Sequence, residues 1–140
     1  MVGMRRTRSL RHEGLATIEM ALVLPLLLLL TFGVIEYAWL FFKFHEVTNA
    51  ARQGARVGVT PDATNGEVEA AIKTIMTSDG MATGYTVSYL PAGGVGGLDT
   101  GELLTVSVSI PYSRVTLFGL PFVPVPTTLR SSTTMAKEGP

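Results

Sequence analysis

The chain contains no cysteine. That excludes a disulfide framework, a thiol nucleophile and a thiolate zinc site, while leaving the compartment open. Histidine is nearly as scarce, with two in 140 residues. Neither is well placed for chemistry: His12 sits in an arginine-rich N-terminal segment and His45 just beyond a long apolar run. Charge is missing where it would cost most, since Glu36 is the only charged side chain between Met20 and Phe42. Beyond the first fourteen residues there is no basic run suited to nucleic acid. Asp62, Glu67, Glu69, Asp79, Asp99, Glu102 and Glu138 are scattered over helix starts, turns and the C-terminal tail. None pairs with a nucleophile or falls at metal-ligand spacing. The glycines of 91–101 join no strand to a helix, so they do not form a phosphate loop. The expectation is a chain with no catalytic residue, metal site, cofactor or small-molecule substrate.

What is present is strongly polarised along the chain. The formal charge of zero hides a leader, residues 1–14, that carries Arg5, Arg6, Arg8 and Arg11 against Glu13 alone. The remainder is net acidic. The run Met20–Phe42 follows; at ~1.5 Å per residue it spans ~34 Å, enough for a hydrocarbon core of ~30 Å. Tyr37, Trp39, Phe41 and Phe42 gather at its far end, where aromatic rings favour the interface, and Lys43 closes it. With the arginines before its near end, the positive-inside rule places the N-terminus in the cytoplasm and residues 45–140 outside. A cleaved secretory signal fits poorly, because the run is too long and no small-x-small site follows it.

The sharpest motif is Gly14-Leu15-Ala16-Thr17-Ile18-Glu19, a glycine after a basic leader with a glutamate five residues on. It resembles the type IV prepilin cleavage pattern. A peptidase at the membrane face needs a narrow, extended backbone at the scissile bond, and glycine offers no clash there and weakens a helix. Cleavage after Gly14 frees the α-amine of Leu15, about one helical turn from Glu19. A lone carboxylate at that depth costs ~2–3 kcal/mol unless paired or protonated. An amine from a neighbouring helix supplies a partner; snorkelling to the interface is the simpler alternative.

The stretch Gly14-Leu-Ala-Thr-Ile-Glu-Met-Ala-Leu-Val-Leu-Pro25 resembles the start of TadE-like proteins of the tight-adherence (Flp pilus) system. Ala50-Ala-Arg-Gln-Gly-Ala-Arg-Val-Gly58 resembles the second block of the same family. The resemblance implies a minor pseudopilin of the bacterial inner membrane, acting in pilus assembly, adherence or secretion. Its implied partners are a prepilin peptidase, an assembly ATPase and platform proteins, and other pilin-like subunits including the major pilin. In that reading Glu19 registers the subunit in a filament. Met20 stands where the major Flp pilin typically has tyrosine, which favours a minor role. A single-pass membrane scaffold that never enters a filament is the competing reading.

Glu36 and Pro25 are the other candidate contact residues within the run. Glu36 reads either as a helix–helix contact in an assembly or as a pair with Lys43, seven residues on along the same face. Pro25 lacks an amide hydrogen and is expected to kink or loosen the helix, unless it is merely tolerated.

Helical pattern continues past the run, giving an expected helix over 15–58. Ala50, Gly54 and Gly58 recur every four residues with Ala51 and Ala55 beside them, a stripe that lets another backbone approach closely. Arg52 and Arg56 lie on a neighbouring face. Packing on the protein's own sheet is the expected use, with a partner subunit as the alternative. In the third segment, 59–140, Thr64 to Glu67 has capping-box spacing for a short amphipathic helix that stops at Gly80. Strands are expected at 85–90, 103–110 and 128–136, with a short one at 114–118. The apolar loop 118–126 is expected to cover the core. The predicted architecture is α+β and pilin-like: a long transmembrane helix, extended outside the bilayer, packed on a small antiparallel sheet.

Overall fold

The computed structural model describes residues 9–121 and 123–139, with side chains from Gly14 onward. Arg5, Arg6 and Arg8 of the leader lie outside the described residues. Helix α1 runs from Ser9 to Gly58 without interruption. It starts before the expected Leu15 and carries Gly14 inside it; one glycine costs a helix only about 1 kcal/mol, which the long apolar sequence after it absorbs. The helix also continues through Pro25, since a missing donor is tolerated where the neighbouring turns hold.

Past the bilayer-length half, α1 becomes the spine of a small domain. Helix α2, Asn65–Ser78, opens with the capping box anticipated from sequence: the Thr64 hydroxyl accepts from the Glu67 amide, and the Glu67 carboxylate accepts from the Thr64 amide at 2.9 Å. Val68, Ile72 and Met76, spaced by four, are its buried stripe. Strands β1 (Thr86–Leu90), β2 (Leu103–Pro111) and β3 (Thr128–Ala136) form an antiparallel meander in the order β1-β2-β3. No strand forms at 114–118. Instead a 3₁₀ turn, Tyr112–Arg114, leads the chain down beside α1, because prolines at 111, 121, 124 and 126 remove ladder donors on both sides of that segment.

Alternation in β2 decides the layering. Leu104, Val106, Val108 and Ile110 are fully buried against α1 and α2. Thr105, Ser107 and Ser109 face the other way and pair by hydroxyl with Thr134, Ser132 and Thr86 at 2.7–2.8 Å. The small-residue stripe of α1 meets the buried face. Ala50, Ala51 and Ala55 are buried there, and a Cβ built on Gly54 would stand 2.7 Å from Ile72 Cδ1. One on Gly58 would stand 2.5 Å from Leu104 Cδ2 and 3.0 Å from Val95. Close approach therefore happens within the chain. Arg52 and Arg56 are exposed and take no part in that packing. The end of α1 is closed by Lys137, whose ammonium donates to the Thr60 carbonyl at 2.8 Å, as a cation at a helix C-terminus should.

Candidate functional site

On α1 the domain's footprint begins far down the helix. Residues 14–32 are exposed all round, whereas Glu36, Leu40, Lys43 and Val47 are buried beneath the domain. Those four positions are spaced by three or four, so they form one stripe. The last third of the run 20–42 is thus covered by protein on one face, a difference from the sequence-based span. The covering segment is the chain between β2 and β3.

Glu36 is the anchor of that cover. It is 1 % exposed, and its carboxylate accepts three hydrogen bonds. They come from the Tyr112 hydroxyl at 2.6 Å, the Thr116 hydroxyl at 2.5 Å and the Phe118 amide at 2.9 Å. Burying a carboxylate among apolar groups is prohibitive without such donors. Burial and the bond to Glu36 push the Tyr112 hydroxyl up to about 12, so it stays protonated and donating throughout the physiological range. Two further bonds flank the anchor: Tyr37 Oη donates to the Pro124 carbonyl at 2.7 Å, and Trp39 Nε1 to the Val115 carbonyl at 2.6 Å. At ~100° per residue these three helix side chains fan over roughly half the circumference of α1. The segment 112–124 is therefore saddled on the helix, with the Phe118 ring edge-on to Phe32 at 5.4 Å. A cavity of about 420 Å³ lies beside the anchor, between Tyr112, Thr116, Leu120 and Val125.

Neither reading of Glu36 from the sequence describes this arrangement. Its hydrogen-bond donors come from its own chain, 76–82 residues away, where the sequence suggested another helix. Lys43 does not reach back to it: its ammonium donates to the Asp79 carbonyl at the end of α2, at 2.6 Å, and lies 4.8 Å from the Trp39 ring centroid. The same junction holds Glu46, whose pKa is raised by its hydrogen bond to Asp79 and then by burial.

The residues of the cleavage pattern are far from this anchor. Gly14, Leu15 and Glu19 are exposed on the first described turns, and Pro25 lies on the bare helix between. Glu19 has the uncharged Ala16, Met20 and Val23 as surface neighbours. The structure thus separates an uncovered carboxylate at one end of the apolar half from a fully bonded one at the other. Sequence reasoning missed Tyr112 and Thr116. The signal available was indirect: a carboxylate inside an apolar run demands donors, but nothing local says which of many hydroxyls supplies them. Among the described residues no cluster of histidines and carboxylates could hold a metal ion.

Residues 14–56 match the family model described as TadE-like protein. The match covers under a third of the chain, and it takes in both blocks that carry the resemblance up to Arg56. No curated protein and no solved structure matches the chain. Within the described residues, one helix is long and apolar enough to cross a membrane. Together with the family match it points to a single-pass membrane protein associated with the tight-adherence pilus.

Proposed function

Taking the match to TadE-like proteins as the premise, we propose that the chain is a minor pilin-like subunit of a tight-adherence pilus or a related secretion machine. It is cut between Gly14 and Leu15 by a prepilin peptidase. It sits in the bacterial inner membrane with its N-terminus in the cytoplasm and its domain outside. The observation that carries this reading is the pattern from Gly14 to Glu19, on a helix where Glu19 is exposed among Ala16, Met20 and Val23. A carboxylate facing hydrocarbon is costly unless a partner comes to it or it reaches the interface. The α-amine of a second processed subunit supplies a cationic partner, about one helical turn from the depth of Glu19 when the two subunits are level. Glu36 has no such vacancy, so assembly is assigned to Glu19 and domain placement to Glu36.

Filaments sheared from the host surface test the role. The wild-type chain is expected in the sheared fraction, and Glu19→Ala should lower its amount there about tenfold, the equivalent of losing ~1.4 kcal/mol of pairing. A wild-type chain that stays wholly with the membrane fraction would favour the scaffold reading.

A further inference from the structure

We propose that the loop from Leu117 to Val125 is a second lipid-contacting element, seated in the outer leaflet beside α1, so that the domain rests on the membrane. The proposal rests on α1 being a single transmembrane span and adds a surface that the span alone does not require.

Composition is the first argument. Between Arg114 and Arg130 there is no charged side chain, and residues 117–125 include Leu117, Phe118, Leu120, Val123 and Val125. Leu117 is 44 % and Phe118 48 % exposed, a cost in water that a hydrocarbon boundary removes. Backbone satisfaction is the second. Pro121 and Pro124 have no amide hydrogen to leave unpaired. The Gly119 amide donates to the Thr116 hydroxyl at 2.9 Å, the Val123 amide to the Leu120 carbonyl at 3.2 Å, and the Pro124 carbonyl accepts from Tyr37. These groups are met within the chain, as irregular backbone near lipid requires, and the loop's remaining polar groups then face the headgroup side.

Depth is the third argument, and it also sets where the span lies. Phe118 touches Phe32, which is ~26 Å along α1 from Leu15 and ~18 Å from Met20. A hydrocarbon core of ~30 Å that began at Met20 would hold the Phe118 end of the loop ~12 Å below its outer edge and the end held by Tyr37 ~4–5 Å below it, too deep for irregular backbone. Beginning near Leu15, it ends near Ile35 and admits only the apolar tips, which is the interfacial depth of ~5–10 Å. Glu36, Tyr37 and Trp39, which hold the loop, then line that outer boundary. Glu19 falls ~6 Å inside the inner one.

Because the chain lacks cysteine, one can be introduced and spin-labelled without a background. Leu117→Cys and, separately, Leu120→Cys would carry nitroxides in full-length protein reconstituted into phosphatidylcholine–phosphatidylglycerol vesicles. Glu69→Cys, on the exposed side of α2, is the aqueous reference. The expected result is a reversal: oxygen relaxes the loop labels more than a water-soluble nickel chelate does, and the order inverts at residue 69. Nickel-dominated relaxation at both loop positions would overturn the proposal by placing the loop in water. Low accessibility to both reagents would overturn it too, by placing the loop against protein such as a second copy of the chain. The unmodified protein gives an independent reading through its one tryptophan. Trp39, held to the Val115 carbonyl, should be quenched more by lipids brominated near the headgroup than by those brominated near the chain end. The reverse order would contradict the seating. Release of the protein from vesicles by alkaline carbonate marks a different failure, that of the span itself.

Discussion

Replacing Glu36 with leucine is expected to free the 112–124 segment from α1 and to destabilise the domain by about 3–5 kcal/mol. Leucine fills the volume and removes the buried charge, but it leaves the Tyr112 and Thr116 hydroxyls and the Phe118 amide without an acceptor. Each unmet buried donor costs ~1–3 kcal/mol, and the two hydroxyls recover part of that by turning elsewhere. Glu36→Gln should cost much less. Its one carbonyl oxygen can take the Phe118 amide, which cannot rotate, while its amino group donates to the two hydroxyls, which can accept. Denaturant unfolding in nanodiscs orders the three proteins, and limited proteolysis reports the segment directly. Cleavage within 112–127 should appear in Glu36→Leu and be slight in Glu36→Gln. Equal stability of Glu36→Leu and wild type would mean that the three bonds do not hold the domain to the helix.

The second large effect is expected from the small-residue stripe. Gly54→Leu should destabilise the fold by about 3 kcal/mol or more, since even a Cβ there meets Ile72 at 2.7 Å and Val106 at 3.4 Å. Ile72 and Val106 are fully buried and have nowhere to retreat. Gly58→Leu faces Leu104, Val95 and Val68 together and should behave alike. Gly33→Leu is the internal control: nothing lies within 4 Å of its Cβ position, so removing a helical glycine there should leave stability unchanged or slightly improved. The measurement is the shift of thermal or denaturant midpoint, with helicity followed to confirm folding. Unchanged midpoints for both Gly54→Leu and Gly58→Leu would show that α1 and the sheet are not pressed together at these positions.

Much of this architecture is legible in the residues, and the parts that are not share a cause. The capping box at Thr64, the stop at Gly80, and the strands at 103–111 and 128–136 follow from local chemistry: a hydroxyl three residues before a glutamate, a glycine at a helix end, apolar residues at every second position. The stripe at 50–58 declares close packing because only small side chains permit it. The 112–124 segment is different. Its prolines reject a strand, but its destination depends on Glu36, some eighty residues earlier, and no periodicity links the two. The overlap of the apolar run with the domain's footprint has the same cause. Hydropathy counts Glu36 to Phe42 with the apolar run, while the fold gives one face of that stretch to Tyr112, Thr116 and Phe118. The Gly14–Glu19 pattern is the reverse case, plain in sequence and simply exposed in the structure, as fits a motif whose proposed partners are other molecules.

The central claim is that the chain is a processed pilin-like subunit, and the N-terminus of the mature protein tests it most directly. Intact mass and N-terminal sequence would be determined for protein purified from host membranes, with and without an active prepilin peptidase. The predicted result is a chain that begins at Leu15 when the peptidase is active and retains the arginine-rich leader when it is not. A chain that keeps its leader in both hosts would contradict the account and leave a permanently membrane-bound scaffold as the better description.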